Sequence, residues 1–202
     1  MPSSPPTTAR LRQQLAFILE IDKLKKVERQ SLLTDQSRRE NSAEHSWHLA
    51  MMVLMLAEYV PGPIDVARAL ELALTHDLVE IDAGDTFVYD AEACQDQAER
   101  EQRAAARIFA LLPEDQRSGL WDCWRELEAG QTPEAQLVKV LDRLQPLLLH
   151  QATDGVVWQR HGVSRSAVMK RMSEIERHAP ALWPLVCQIV DDAVAAGRLT
   201  DD

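Results

Sequence analysis

Leu74-Thr75-His76-Asp77-Leu78-Val79-Glu80 sets an adjacent histidine and aspartate at the end of an apolar-rich run, Ala67 to Leu74. A glutamate follows, and behind it comes a loop with Asp82, Gly84 and Asp85. If the helix suggested by the run continues through the motif, His76 and Glu80 share a face one turn apart. Asp77 is turned from its neighbour by about 100°. An imidazole and a carboxylate side by side at a helix end can hold a divalent cation, and a second carboxylate one turn on can handle a proton. The dipeptide alone is common by chance, so it carries meaning only if other segments bring further ligands to it.

The rest of the chain reads as helix able to do so. Its 202 residues, 46% hydrophobic, suit one domain with a sizeable core. Only 7 glycines and 5% aromatics argue against a sheet-rich fold, while abundant Ala, Leu, Glu, Gln and Arg favour helix. A disordered tail over residues 1–8 precedes an amphipathic helix from Ala9 to about Leu24. A basic, irregular stretch containing Lys25, Lys26, Arg29, Arg38 and Arg39 comes next. Ser42 reads as the N-cap of a helix running to about Tyr59, with His45 at its third position. The near-continuous apolar content from Leu49 to Leu56 marks that helix as central and buried. Further helices are expected from Ile64 to Glu80, from about Ala91 to Leu111, from Pro113 to Leu127 and from Glu134 to His150. A connector between Gly155 and Gly162 leads to a Ser164-capped helix ending at His178, and Ala181 to Ala196 forms the last. The expected fold class is all-α: a single-domain bundle of about seven or eight helices over residues 9–197, with the site-bearing core at about 17–149 and C-terminal helices at about 164–197.

Charge and cysteine usage narrow the function. A net charge of −10 and a pI near 5.1 give a surface that repels a nucleic-acid backbone, so no nucleic-acid polymer is expected as partner. Cys94, Cys123 and Cys187 are scattered and odd in number, which speaks for a reducing compartment without a disulfide framework. The longest apolar run, Leu49 to Ala57, is too short to span a bilayer, and no signal-like segment follows the N-terminus. A cytoplasmic protein with no membrane partner is expected.

Four residues on three predicted helices are candidate metal ligands: His45, His76, Asp77 and Asp142. Each sits among apolar neighbours, and burying Asp142 without a partner costs several kcal/mol, by order of magnitude. Taken singly, a histidine in an apolar helix reads as a hydrogen-bonded core residue, and Asp142-Arg143 as an ordinary surface pair. Taken jointly, His…His-Asp…Asp on successive helices favours a shared cation. Two imidazoles and two carboxylates suit Mn, Fe, Co, Ni or Zn better than Ca, with open positions left for water and substrate. His48 reads as packing or as support behind the ligands, His150 as structural, Asp82 as loop solvation, and Glu44 as either a support for His45 or a helix N-terminal acid.

Arg38-Arg39-Glu40-Asn41-Ser42-Ala43-Glu44-His45-Ser46, then Leu74 to Glu80 with Gly84-Asp85, then Leu111-Leu112-Pro113-Glu114 and Val138-Lys139-Val140-Leu141-Asp142 stand in an order that resembles the HD-domain metal-dependent phosphohydrolase superfamily. Within it the words are similar to the 5′-deoxynucleotidase branch, including the eukaryotic HD-domain-containing-2 type. The resemblance covers about Phe17 to Leu149. It implies an HD-domain helical bundle and His45, His76, Asp77 and Asp142 as ligands of a divalent transition metal. It implies that Glu80 positions or deprotonates the attacking water, or protonates the leaving alkoxide. Asp85 would contact the sugar or orient that water, and Arg29 would bind phosphate. Gln30 follows Arg29 where bacterial members carry a tryptophan packed near the sugar, so the resemblance does not extend to the sugar preference. The implied activity is hydrolysis of (deoxy)nucleoside 5′-monophosphates by a homodimer. An HD-type phosphodiesterase or pyrophosphohydrolase acting on cyclic or alarmone-like nucleotides, and a non-catalytic nucleotide-binding module, are the alternatives.

Overall fold

The computed structural model describes residues 7–90 and 92–202. Most of the predicted tail, and Ala91 at the start of one predicted helix, lie outside the described residues. The chain folds into a helical bundle with one small two-stranded sheet. Its helices are α1 (Thr8–Ile21), α2 (Ser42–Leu56), α3 (Val66–Thr75), α4 (Glu80–Ala83), α5 (Gln97–Phe109), α6 (Glu114–Ala129), α7 (Pro133–Ala152), α8 (Val156–His161), α9 (Arg165–His178) and α10 (Trp183–Ala195). The longest, α7, starts with proline in its first turn under a Thr132 cap, a position where the missing N–H costs nothing. Leu137, Val140, Leu141 and Leu144 on α7 are fully buried, and α2, α3, α6 and α9 pack around them. One hydrophobic cluster reaches from Leu49 to Leu199, so the C-terminal helices share the core of the earlier ones, while Leu24, Leu78, Val79, Ile108 and Phe109 belong to a second.

Several local expectations change. The basic stretch after α1 is not irregular throughout. A 3-10 turn, Asp22–Lys26, leads into an antiparallel hairpin of β1 (Glu28–Leu32) and β2 (Arg39–Asn41). The hairpin carries Arg29 and Glu40 inward; Glu40 is only 3% exposed. Asn41, not Ser42, caps α2. Its side-chain oxygen accepts from the Glu44 N–H at 3.0 Å, and the Glu44 carboxylate accepts from the Asn41 N–H at 3.2 Å, a reciprocal box that satisfies both orphan donors. Nor is α2 buried all round, because Trp47 (64% exposed), Met51, Leu54 and Met55 (62%) face outward.

The helix expected from Ile64 to Glu80 breaks at the decisive motif. The Thr75 hydroxyl donates to the Glu71 carbonyl at 2.7 Å, and His76 Nδ1 lies 2.9 Å from the Ala73 carbonyl oxygen. Side chains thus take up carbonyls of the last α-helical turn. His76 to Val79 tighten into a 3-10 turn before α4 begins at Glu80. The expected connector between Gly155 and Gly162 contains α8, whose Trp158 is 1% exposed. Gly155 is required there: its φ is +66°, and a Cβ would lie 2.8 Å from that of Arg198.

Candidate metal centre

Three segments far apart in sequence deliver the predicted ligands to one spot. His45 comes from α2, His76 from the turn after α3 and Asp142 from α7, and one donor atom of each lies within 4.8 Å of the others. His45 Nε2 is 3.0 Å, and His76 Nε2 3.8 Å, from the same Asp142 Oδ1. Separations of about 3–3.5 Å are those of donors bound to one ion at about 2.1 Å. Asp77 adjoins this trio: its Oδ1 is 2.9 Å from His76 Nε2, and its Oδ2 is 3.9 Å from His45 Nε2.

The tautomers fit a cation. His76 Nδ1–H donates to the Ala73 carbonyl, and His45 Nδ1–H donates to Gln145 Oε1 at 3.2 Å. With those tautomers each ring would turn an Nε2 lone pair toward the carboxylates, His45 Nε2 lying within hydrogen-bond distance, 3.0 Å, of Asp142 Oδ1. His76 Nε2 is buried without a hydrogen bond; the 2.9 Å approach of Asp77 is close contact without hydrogen-bond direction. A lone pair facing carboxylate oxygens needs a positive charge between them. With none there, burial would lower the His76 pKa, but Asp77, Asp142 and Glu80 push it up to about 9. Burial and Arg29 keep His45 down. Burial opposes ionisation of Asp142, yet both histidines and Arg29 hold its carboxyl well below the usual range.

Arg29 and Glu80 complete the spot. Arg29 Nη1 donates to Asp77 Oδ2 at 3.0 Å and lies 3.5 Å from Asp85 Oδ1 and 4.0 Å from Glu80 Oε1. Burial raises Glu80 well above an ordinary glutamate, reinforced by Asp77 and Asp85 and opposed by Arg29 and by the Ser42 hydroxyl. Asp85 is raised by burial against the pull of Arg29.

The HD-domain family description matches residues 21–183. The chain belongs to the HD-domain family. As an HD domain it implies a divalent metal, and the donor set above fits one. It is 31% identical over 138 residues to the human 5′-deoxynucleotidase HDDC2, a match covering 68% of this chain and 66% of that protein. The mouse protein of the same name is 30% identical over 135 residues, 66% of this chain and 66% of its own length. A crystal structure described as a predicted metal-dependent phosphohydrolase, from Magnetospirillum magnetotacticum MS-1, superposes with a TM-score of 0.91 at 48% identity, covering 99% of this chain and 100% of that one. The PH0347 protein of Pyrococcus horikoshii OT3, 24% identical, shares the fold at a TM-score of 0.61, over 92% of this chain and 99% of its own.

Sequence reasoning missed Gln145 and Glu40 in the polar layer behind these side chains, which His48, read as packing or support, also joins. Gln145 Nε2 donates to Glu40 Oε1 at 2.6 Å and lies 3.2 Å from His48 Nδ1, while its oxygen holds His45. Burial pushes Glu40 up to about 7, against the attraction of Arg29 and the Gln145 hydrogen bond. Gln145 lies three residues after Asp142, hence on the same helix face, a spacing that could have exposed it. Glu44 is a helix N-terminal acid, paired with Arg38 at 2.6 Å rather than with His45. Asp82 sits on α4 and pairs with Arg107, so it is not mere loop solvation.

Two chambers meet at Arg29, Asp85 and Asp142. One, of about 260 Å³, is bordered by His76, Asp77 and Glu80. The other, about 70 Å³, is walled by Gln30, Phe87, Tyr89, Pro146, His150 and Trp158.

Proposed function

We propose that this HD domain is a metal-dependent 5′-nucleotidase that releases phosphate from (deoxy)nucleoside 5′-monophosphates. His45, His76, Asp77 and Asp142 would hold the metal. The observation that carries the reading is the convergence of the His45 and His76 rings and the Asp142 carboxylate on one spot, with Arg29 and Glu80 beside them. When bound, the cation supplies charge for the phosphoryl oxygens and lowers the pKa of a water.

The chain's own groups do the rest. Arg29 is a planar donor fork already held among acids, and a phosphate dianion can draw one of its edges away from Asp77. Glu80 accepts the Ser42 hydroxyl on Oε2 at 2.6 Å, which leaves Oε1 to exchange a proton with the attacking water or the leaving sugar oxygen. Asp85 orients the sugar or that water. The base would point into the chamber walled by Phe87, Tyr89, Pro146 and Trp158. The outward apolar residues of α2, together with half-exposed Leu11, Leu15 and Ile18 on α1, support a homodimer. No helix among the described residues is long and apolar enough to cross a membrane; with three free cysteines, this supports a cytoplasmic setting.

Metal analysis of the purified protein, followed by a phosphate-release screen over nucleoside monophosphates, cyclic nucleotides and other diesters, tests the reading. Release confined to 5′-monophosphates is expected. Turnover of diesters alone, or of nothing by metal-loaded protein, would overturn it.

A further inference from the structure

Most of the half-buried arginines of this acidic chain are neutralised locally. Arg10, Arg68 and Arg100 each lie within 3 Å of a carboxylate oxygen, and Arg29 is ringed by four acids. Arg143 on α7 and Arg171 on α9 are half-buried too. Among the described residues, neither forms an ion pair. Arg143 spends one N–H on the Lys139 carbonyl at 3.2 Å, and its buried Nε has no partner at all. Asp142, next to it in sequence, is turned to the histidines. A half-buried guanidinium with an N–H left unpartnered is a costly arrangement that an anion would relieve.

Their position says which anion. Both side chains line both chambers. A nucleotide with its 5′-phosphate beside Arg29 and its base against Trp158 would have to pass them. Two guanidinium forks on separate helices suit the several oxygens of a phosphate better than a single carboxylate. A simple 5′-monophosphate, its one phosphate already engaged, leaves them unpaired.

We propose that Arg143 and Arg171 form a second anion subsite, which takes a phosphate other than the one hydrolysed and favours nucleotides that carry two separate phosphates, such as nucleoside 3′,5′-bisphosphates. This rests on the nucleotidase reading for the place of the scissile group. The test is therefore a binding experiment that needs no turnover. Nucleoside 3′-monophosphates and the matching nucleosides are titrated calorimetrically into the wild-type protein, Arg143→Met, Arg171→Met, the double variant and Arg171→Lys. The wild type is expected to bind the 3′-phosphate at least about tenfold tighter than the nucleoside, the scale of one or two charge-assisted hydrogen bonds. The double variant should lose that preference and Arg171→Lys keep part of it, with melting temperatures showing that each is folded. In kinetics, the double variant should raise KM for the bisphosphate about tenfold and leave kcat and KM for the 5′-monophosphate within about twofold. Equal binding of nucleoside and 3′-phosphate by the wild type would overturn the proposal. So would an equal rise in KM for both substrates, which would assign the arginines to the scissile phosphate. If no monophosphate is hydrolysed but arginine-dependent binding of the 3′-phosphate is found, the subsite stands and the nucleotidase reading falls.

Discussion

The Ser42 hydroxyl donates to Glu80 Oε2 at 2.6 Å, both groups buried and 38 residues apart. Ser42 lies in the first turn of α2, three residues before His45, so one helix end both presents a candidate ligand and holds the Glu80 carboxyl. The hydroxyl is free for this because Asn41 does the capping.

Replacing that hydroxyl isolates its contribution. In Ser42→Ala, Glu80 loses the donor that steadies its charged form, so its pKa climbs further and its orientation loosens. We expect kcat to fall about tenfold, typical of a lost positioning hydrogen bond, with metal content unchanged. Steady-state kinetics beside elemental analysis measure both, and an unaltered kcat would show that Glu80 does not depend on Ser42.

Asp77→Ala and Glu80→Gln should separate metal binding from proton handling. Both are expected to abolish phosphate release, a loss of at least about a hundredfold for a missing acid–base group. Only the first should lose metal. Asp142→Asn is expected to follow Asp77→Ala, because it removes the charge that both imidazole Nε2 atoms face. Metal retained at full stoichiometry in Asp142→Asn would remove Asp142 from the ligand set.

Gln145 is the hinge of the buried polar layer. Gln145→Leu strands the Glu40 carboxyl and the His45 Nδ1–H together. The expected cost is about 2–4 kcal/mol of folding stability and a metal affinity weaker by roughly 10–100-fold. Denaturant unfolding and competitive chelation give the two numbers. A mild, fully stable variant with native metal affinity would contradict the role assigned to this residue.

His150 gives the fold an acid-side weakness. Burial pushes its pKa down to about 4, with Arg29 and His161 adding to the effect. The unfolded chain therefore binds a proton that the folded chain refuses between about pH 6.5 and 4. Stability from this group is whole above pH 6.5 and falls as pH drops through that window, by about 3 kcal/mol in all. Urea unfolding across the range should show the slope in the wild type and a shallower one in His150→Leu. Parallel slopes would locate the titration elsewhere.

Much of this protein is legible along the chain. Pro113, Pro133 and Ser164 each mark a helix start that the fold keeps. The order of His45, His76, Asp77 and Asp142 points to one site, and the structure brings them together. Two of the departures fall where a side chain competes with the backbone. Thr75 and His76 occupy carbonyls at the end of α3 and turn the motif into a 3-10 bend. Neighbouring Asn41 and Ser42 are both good caps, and only Asn41 finds its partner in Glu44.

Local composition and spacing gave the helical class and pointed to His45, His76, Asp77 and Asp142 as candidate ligands, because helix periodicity and ligand chemistry act over a few residues. The polar layer behind those ligands, the pairing of Ser42 with Glu80 and the two chambers at Arg29 came only with the tertiary structure. Gln145 meets His45 across 100 residues and Glu40 across 105. A hydrogen bond is satisfied by whichever group arrives within about 3 Å, and where α7 lies against α2 and the hairpin is decided by packing of the whole core.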